Sequence, residues 1–222
     1  MTLNGGMSMM YPVKPVELPQ SVEDGYQPDW YERDYFKSVD GNKEFPNHHC
    51  KVTWVASIPH IDSFNNAIDI GCRDGEYARY LANNFNHVYC FDYRPRAYFT
   101  HNIPLDKITL FHTGLGEAEK VIKVSGGANM MVERIGEKTN WHDHRIYALD
   151  QFDIPQVDYI KIDVDGFETR VLAGAKETIL KNKPVVVLEA EAGDTSGIDY
   201  CREHLNYDIV AWDSYNRNVV MK

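Results

Sequence analysis

From Asn66 onward, short apolar runs alternate with segments whose apolar residues recur at helical spacing, and no other feature constrains the fold as tightly. The runs are "AIDIG" (67–71), "HVYCFD" (87–92), "ITLFHTG" (108–114), "YIKIDVD" (159–165) and "PVVVLEAE" (184–191). Between them, "GEYARYLANNF" places Ala78, Leu81, Ala82 and Phe85 on one helical face. "FETRVLAGAKETILKNK" predicts one helix burying Phe167, Val171, Leu172, Ala175 and Ile179. "SGIDYCREHLNY" predicts another, with Ile198, Cys201 and Leu205 inward, and "DIVAWDSYNRNVVMK" closes the chain as an antiparallel pair of strands. Such alternation builds a mostly parallel sheet with right-handed crossovers, a doubly wound α/β fold.

The flanking segments follow other rules. Residues 1–28 carry Pro12, Pro15, Pro19 and Pro28 without an apolar period, which predicts an extended arm. "DWYERDYF" (29–36) predicts a short helix whose aromatic residues either cover a pocket or pack the arm onto the core. "HHCKVTWVASI" predicts a helix with Val52, Val55 and Ala56 on one face, stopped by Pro59. "RAYFTHNI" reads as a short helix, and "EKVIKV", "SGGAN" and "MMVERI" as a hairpin inside an insertion at 117–150. The expected division is an N-terminal arm and helical cap at 1–59, then one domain at 60–222.

A net charge of −10 disfavours a nucleic-acid duplex or an anionic membrane as partner. No stretch reaches the roughly 18 apolar residues of a membrane span, and the opening lacks the pattern of a secretory signal. Cys50, Cys72, Cys90 and Cys201 show no CxxC spacing, so reduced thiols in the cytoplasm are expected.

In open α/β sheets, ligands bind beyond the carboxyl ends of the strands. An acid stands near that end of most of the core runs: Asp69, Asp92, Asp163 with Asp165, and Glu189 with Glu191. Along "KIDVD", strand alternation puts Lys161, Asp163 and Asp165 on one face. Glu168 follows, as a further cleft acid or as a first-turn acid favoured by the helix dipole. The alternative for each acid is helix capping and loop solvation. "DIGCRDG" sets Gly71 and Gly75 between a strand and a helix, where the backbone can approach a ligand and helix N–H groups can reach it. The spacing is not the GxGxxG of dinucleotide-binding turns. Asp92 lies 21 residues beyond Gly71, where a carboxylate can accept both ribose hydroxyls of an adenosine.

"AIDIGCRDGEY", "FDYRP", "SGGANMM", "YALDQF" and "VDYIKIDVDGFETRVLAGA" together resemble the FkbM family of S-adenosylmethionine-dependent methyltransferases, over Asn66 to Glu191. The family's Gly-Ala-Asn in the first turn is here Gly71-Cys72-Arg73, and its Glu-Pro after the second strand is Asp92-Tyr93. The resemblance implies a class I, Rossmann-like methyltransferase fold, S-adenosylmethionine as cofactor, and transfer to a hydroxyl of a small molecule or glycan. It implies Asp69, Gly71 and Gly75 at the methionine part, with Cys72 and Arg73 in the same turn. Asp92 would take the ribose with Tyr93 beside it, and Gly114 and Leu115 the adenine.

For the acceptor, Asp163 is the expected contact, with Asp165 and Glu168 behind it and Lys161 as an ion-pair partner of Asp69 or Glu189. A base must promote loss of a hydroxyl proton, and His142 or His144 could swing over the cleft from the "WHDH" loop, although a solvated loop is the simpler reading. Asp163, Asp165 and Glu189 are oxygen ligands of the kind Mg²⁺ prefers, but a divalent metal is not the favoured reading. A nucleotide-dependent oxidoreductase and a non-catalytic binding module remain as alternatives.

Overall fold

In the computed structural model, which describes residues 11–16, 18, 48–73, 75–94, 103–125, 141–190 and 194–222, the alternation resolves into discrete elements. Helix α1 (His48–Ser57) precedes β1 (Asn66–Ile70), α2 (Glu76–Asn84), β2 (His87–Asp92) and β3 (Ile108–His112). Then come β4 (Gly114–Leu115), β5 (Lys120–Ser125), β6 (Trp141–Tyr147) and β7 (Val157–Ile162). The chain continues through α3 (Glu168–Gly174), α4 (Lys176–Asn182), β8 (Val185–Glu189), α5 (Ser196–Tyr200), β9 (Ile209–Trp212) and β10 (Asn218–Met221).

The main sheet has the order β3-β2-β1-β7-β8-β10-β9, and β10 alone runs against its neighbours. Its central strands are buried on both faces, which is why they read as nearly unbroken apolar runs. Ile68, Ile70, Phe91, Ile160, Ile162 and Leu188 pack with Val171 and Leu172 of α3 on one face. Ala67, Val88, Cys90, Tyr159 and Val187 pack with Trp54 of α1 and Leu81 of α2 on the other. The arm crosses from face to face: Tyr11 and Val13 join the first cluster, Val16 and Leu18 the second. The Val16 N–H donates to the Leu110 carbonyl at 2.7 Å, so the outer edge of β3 is covered rather than left open.

Four local expectations change. The predicted long helix is two, broken at Ala175, because Asp150 caps a separate α4 start by accepting the N–H groups of Glu177 and Thr178 at 3.0 and 2.8 Å. The partner of β5 is the "WHDHRIY" strand β6, read as a loop from sequence; "MMVERI" lies outside the described residues. That pair buries Ile122, Val124 and Ile146, while Lys123–Asp143 and Arg145–Glu119 pair on its exposed side. Helix α1 buries Cys50, Thr53, Trp54 and Ser57 and leaves Val55 54% exposed. The reason is polar: the Thr53 hydroxyl donates to Asp213 at 2.9 Å, and Ser57 accepts from the Tyr159 hydroxyl at 3.0 Å. Fourth, Asp165 leaves the strand face, as described below. "DWYERDYF", the "SGGAN" turn beyond Ser125 and all of "RAYFTHNI" except Ile103 lie outside the described residues.

Candidate functional site

The strand order reverses between β1 and β7, which opens a crevice at their carboxyl ends. The Asp163 N–H donates to the Ile70 carbonyl at 3.0 Å, extending the ladder one residue past the end of β7. Gly71 then turns away at φ +81°, and a Cβ there would lie 1.8 Å from the Asp163 carbonyl oxygen. The close approach that this glycine permits is therefore to Asp163 itself.

The rest of the first turn is tied to β2. The N–H groups of Gly71 and Cys72 both donate to the Phe91 carbonyl, at 2.9 and 3.4 Å. Arg73, at φ +43°, donates its N–H to Asp92 Oδ2 at 2.8 Å, and the Arg94 N–H donates to Asp92 Oδ1 at 2.6 Å. The Gly75 N–H closes on the Cys72 carbonyl at 2.7 Å. Donors expected to face a ligand are thus held by protein. Asp92 thereby joins turn and strand. Cys72 contributes backbone only, because its thiol is buried beside Cys90.

Behind the crevice lies an ionic layer. Tyr159, Lys161 and Asp163 project from one face of β7 and its extension. Lys161 Nζ meets Asp163 Oδ2 at 2.6 Å, with the lysine side chain 7% exposed and the aspartate 36%. The ammonium also sits 5.2 Å from the Tyr77 ring centroid, and the Tyr77 and Tyr159 hydroxyls are hydrogen-bonded to each other. Burial lowers the Lys161 pKa, but Asp163 and Asp69 outweigh it, so the net direction is up.

Asp69 stands opposite Lys161 in the β1–β7 register and is wholly buried. Neither of its carboxylate oxygens has a donor in full hydrogen-bonding geometry, although the Ala78 N–H lies close enough to favour the charged form. Burial raises its pKa to about 7, against the pull of Lys161 and the Ala78 N–H. Glu189 ends β8 beside Asp163. Burial first, then the charge of Asp163 and a hydrogen bond with it, push Glu189 up, while Lys161 pulls it down. Arg217 Nη2 lies 3.8 Å from Glu189 Oε1. One lysine thus faces three carboxyl groups.

The turn after β7 corrects one expectation. Asp165 adopts φ +51° and is exposed in the turn, so it does not share the strand face of Lys161 and Asp163. Glu168 is buried, and its Oε1 accepts the N–H groups of Val164 and Gly166 at 3.1 and 3.3 Å. Its carboxylate closes its own turn. Beyond the turn is a small cleft of ≈ 30 Å³, lined by Gly166, Glu168, Leu188, Glu189, Ser196 and Ile198 among others.

The histidines gather elsewhere. His142 is exposed on β6 opposite Val124, and no contact brings it to Asp163. His144 is half-buried, 5.9 Å from the Tyr93 ring and 6.2 Å from the His112 ring, centroid to centroid. Burial, then His112 and His142, lower its pKa. Gly114 and Leu115 form β4 against β6, and the Leu115 side chain is wholly buried in the core. At the carboxyl ends of β2 and β3 stand Asp92, Tyr93 and His112 instead. Among the described residues, no group of three or more His, Cys, Asp or Glu could hold a metal ion, and no helix is long and apolar enough to cross a membrane.

Sequence reading missed the Tyr77–Tyr159–Ser57 hydroxyl chain and the pairing of Glu189 with Asp163. The signal for both was present: Tyr159 belongs to the same alternation as Lys161 and Asp163, and Glu189 ends the neighbouring strand.

A family model described as the methyltransferase FkbM domain matches residues 63–212. The fold is similar to that of an FkbM methyltransferase from Methylobacillus flagellatus KT, at 17% identity and a TM-score of 0.50. That match covers 72% of this chain, which spans 44% of the length of that protein. It is also similar to precorrin 8w decarboxylase from Methanobacterium thermoautotrophicum, at 15% identity and a TM-score of 0.50, covering 83% of this chain and 94% of that one. Likeness at such identities bears on the fold, a class I methyltransferase sheet. Comparison with curated proteins gave no match.

Proposed function

The chain belongs to the FkbM methyltransferase family, and from this premise we propose that it transfers a methyl group from S-adenosylmethionine to a hydroxyl of a small molecule or glycan, in the cytoplasm. One observation carries the donor assignment: Asp69 is wholly buried at the switch point with neither carboxylate oxygen in full hydrogen-bonding geometry, on the strand next to that of Asp92. A cationic methionine end facing Asp69 would satisfy it, and Asp92 ends the adjacent strand where ribose hydroxyls would lie, so these residues fit the cofactor. When bound, the cofactor supplies an activated methyl on a cationic sulfur.

The chain's own residues would do the rest. Gly71, Arg73 and Gly75 shape the turn that holds Asp92 in place, and Tyr93 flanks it. Asp163, anchored by Lys161, would border the reacting centre. The acceptor would enter by the cleft beside Glu189, where positioning it in line accounts for much of the rate. Four buried free thiols suit a reducing compartment.

Calorimetry tests the reading. S-adenosylmethionine should bind and NAD should not, and Asp92→Ala should weaken binding about 10- to 100-fold, the worth of hydrogen bonds to a charged group. Absent binding, or an Asp92→Ala protein that binds as well as wild type, contradicts it. Binding with no transfer to any acceptor would favour a non-catalytic module.

A further inference from the structure

Asp163 and Glu189 stand between the switch point and the cleft beyond β8. The switch-point crevice ends at Asp163, and the cleft beyond β8 includes Glu189 in its wall. The register makes them neighbours: Ile162 pairs with Leu188, so Asp163 and Glu189 follow side by side on the face that carries Lys161. Lys161 holds Asp163 from behind at 2.6 Å, and Glu189 hydrogen-bonds Asp163 from the side. Asp69, wholly buried and with neither oxygen in full hydrogen-bonding geometry, faces this corner from β1. Asp163 is thus committed to the lysine, whereas Glu189 borders the space an acceptor would occupy.

We propose that Glu189 is the catalytic base that takes the proton of the acceptor hydroxyl, with Asp163 and Lys161 as the positioning pair behind it. This rests on the methyl-transfer reading above. Glu189 first gives up to water the proton it shares with Asp163; then, as the acceptor oxygen bonds to the methyl carbon, the carbon–sulfur bond breaks, its electron pair stays on sulfur, and the hydroxyl proton passes to the Glu189 carboxylate. Glu189 is faced by Lys161, Asp163 and Asp165 from β7 and its turn, by Glu168 from α3, by Asp194 ahead of α5, and by Arg217 ahead of β10. Burial and the Asp163 charge raise its affinity for a proton, the direction a base working near neutral pH requires.

The test uses the full chain. In ¹³C spectra of glutamate side-chain carboxyls, one group should titrate well above the ordinary glutamate range, vanish in Glu189→Gln, and fall back in Asp163→Asn. With neutral methyl glycosides as acceptors, Glu189→Gln should lower kcat by about 100-fold or more while S-adenosylmethionine affinity stays within about threefold, and Glu189→Asp should restore part of the loss. Glu189 titrating in the ordinary range, or a Glu189→Gln enzyme within about threefold of wild-type kcat, overturns the proposal alone. Wild-type protein that fails to bind S-adenosylmethionine removes the methyl-transfer reading and this proposal with it.

Discussion

Gly71→Ala is expected to lower stability by about 3–4 kcal/mol, the sum of a left-handed backbone cost and an overpacking cost. The position has φ +81°, and its new Cβ would fall 1.8 Å from the Asp163 carbonyl oxygen, a backbone atom that cannot swing aside. For a chain of this size that corresponds to a melting point lower by roughly 10 °C. Gly166→Ala is the control: φ is +92° there too, but nothing lies within 4 Å of the added carbon. Only the backbone cost of about 1–2 kcal/mol should appear. Equal losses for the two variants would show that the approach of the first turn to β7 is not what requires glycine at 71.

Lys161→Met is expected to cost about 2–3 kcal/mol near neutral pH, below the usual 3–5 for breaking a buried pair because Asp163 is partly solvated and Asp69 can keep a proton. The loss should depend on pH, and the sign follows from linkage. Asp69 has its folded pKa, about 7, above its ordinary value of 3.8, so the folded state binds the extra proton. Stability falls as pH rises through that window, and Glu189, raised by burial and Asp163, acts in the same direction. Lys161 offsets this cost in the wild type. Removing it should steepen the decline and carry it to higher pH, so that urea unfolding at about pH 8 shows a larger Lys161→Met deficit than at about pH 5. Adding Asp69→Asn should recover part of the deficit at the higher pH. A deficit equal at both pH values would mean that the lysine acts by packing alone.

The strands and helices of the sheet were legible because their side-chain periods report burial directly, as at Ala78, Leu81 and Ala82 of α2. What escaped depends on partners distant in the chain. The α1 face is set by Asp213, 160 residues from Thr53, and the break at Ala175 by Asp150, 28 residues from Thr178. Local turn chemistry was readable but underweighted: Asp165-Gly166 is an Asp-Gly pair, a turn signal, which places Asp165 off the strand. At the site, the acids at the strand ends could be named from sequence, but their division of labour could not. Glu168 turns inward to its own backbone, Asp163 to Lys161 and Glu189 to the cleft, and only side-chain geometry separates these fates.

The most direct measurement is a crystal structure of the full chain grown with S-adenosylhomocysteine, the demethylated product. The expected result is adenosine across the carboxyl ends of β1 and β2, its ribose hydroxyls on Asp92, and its sulfur turned toward Asp163 and Glu189. A nucleoside bound elsewhere, or a crevice between β1 and β7 filled by protein side chains in such crystals, would contradict that placement.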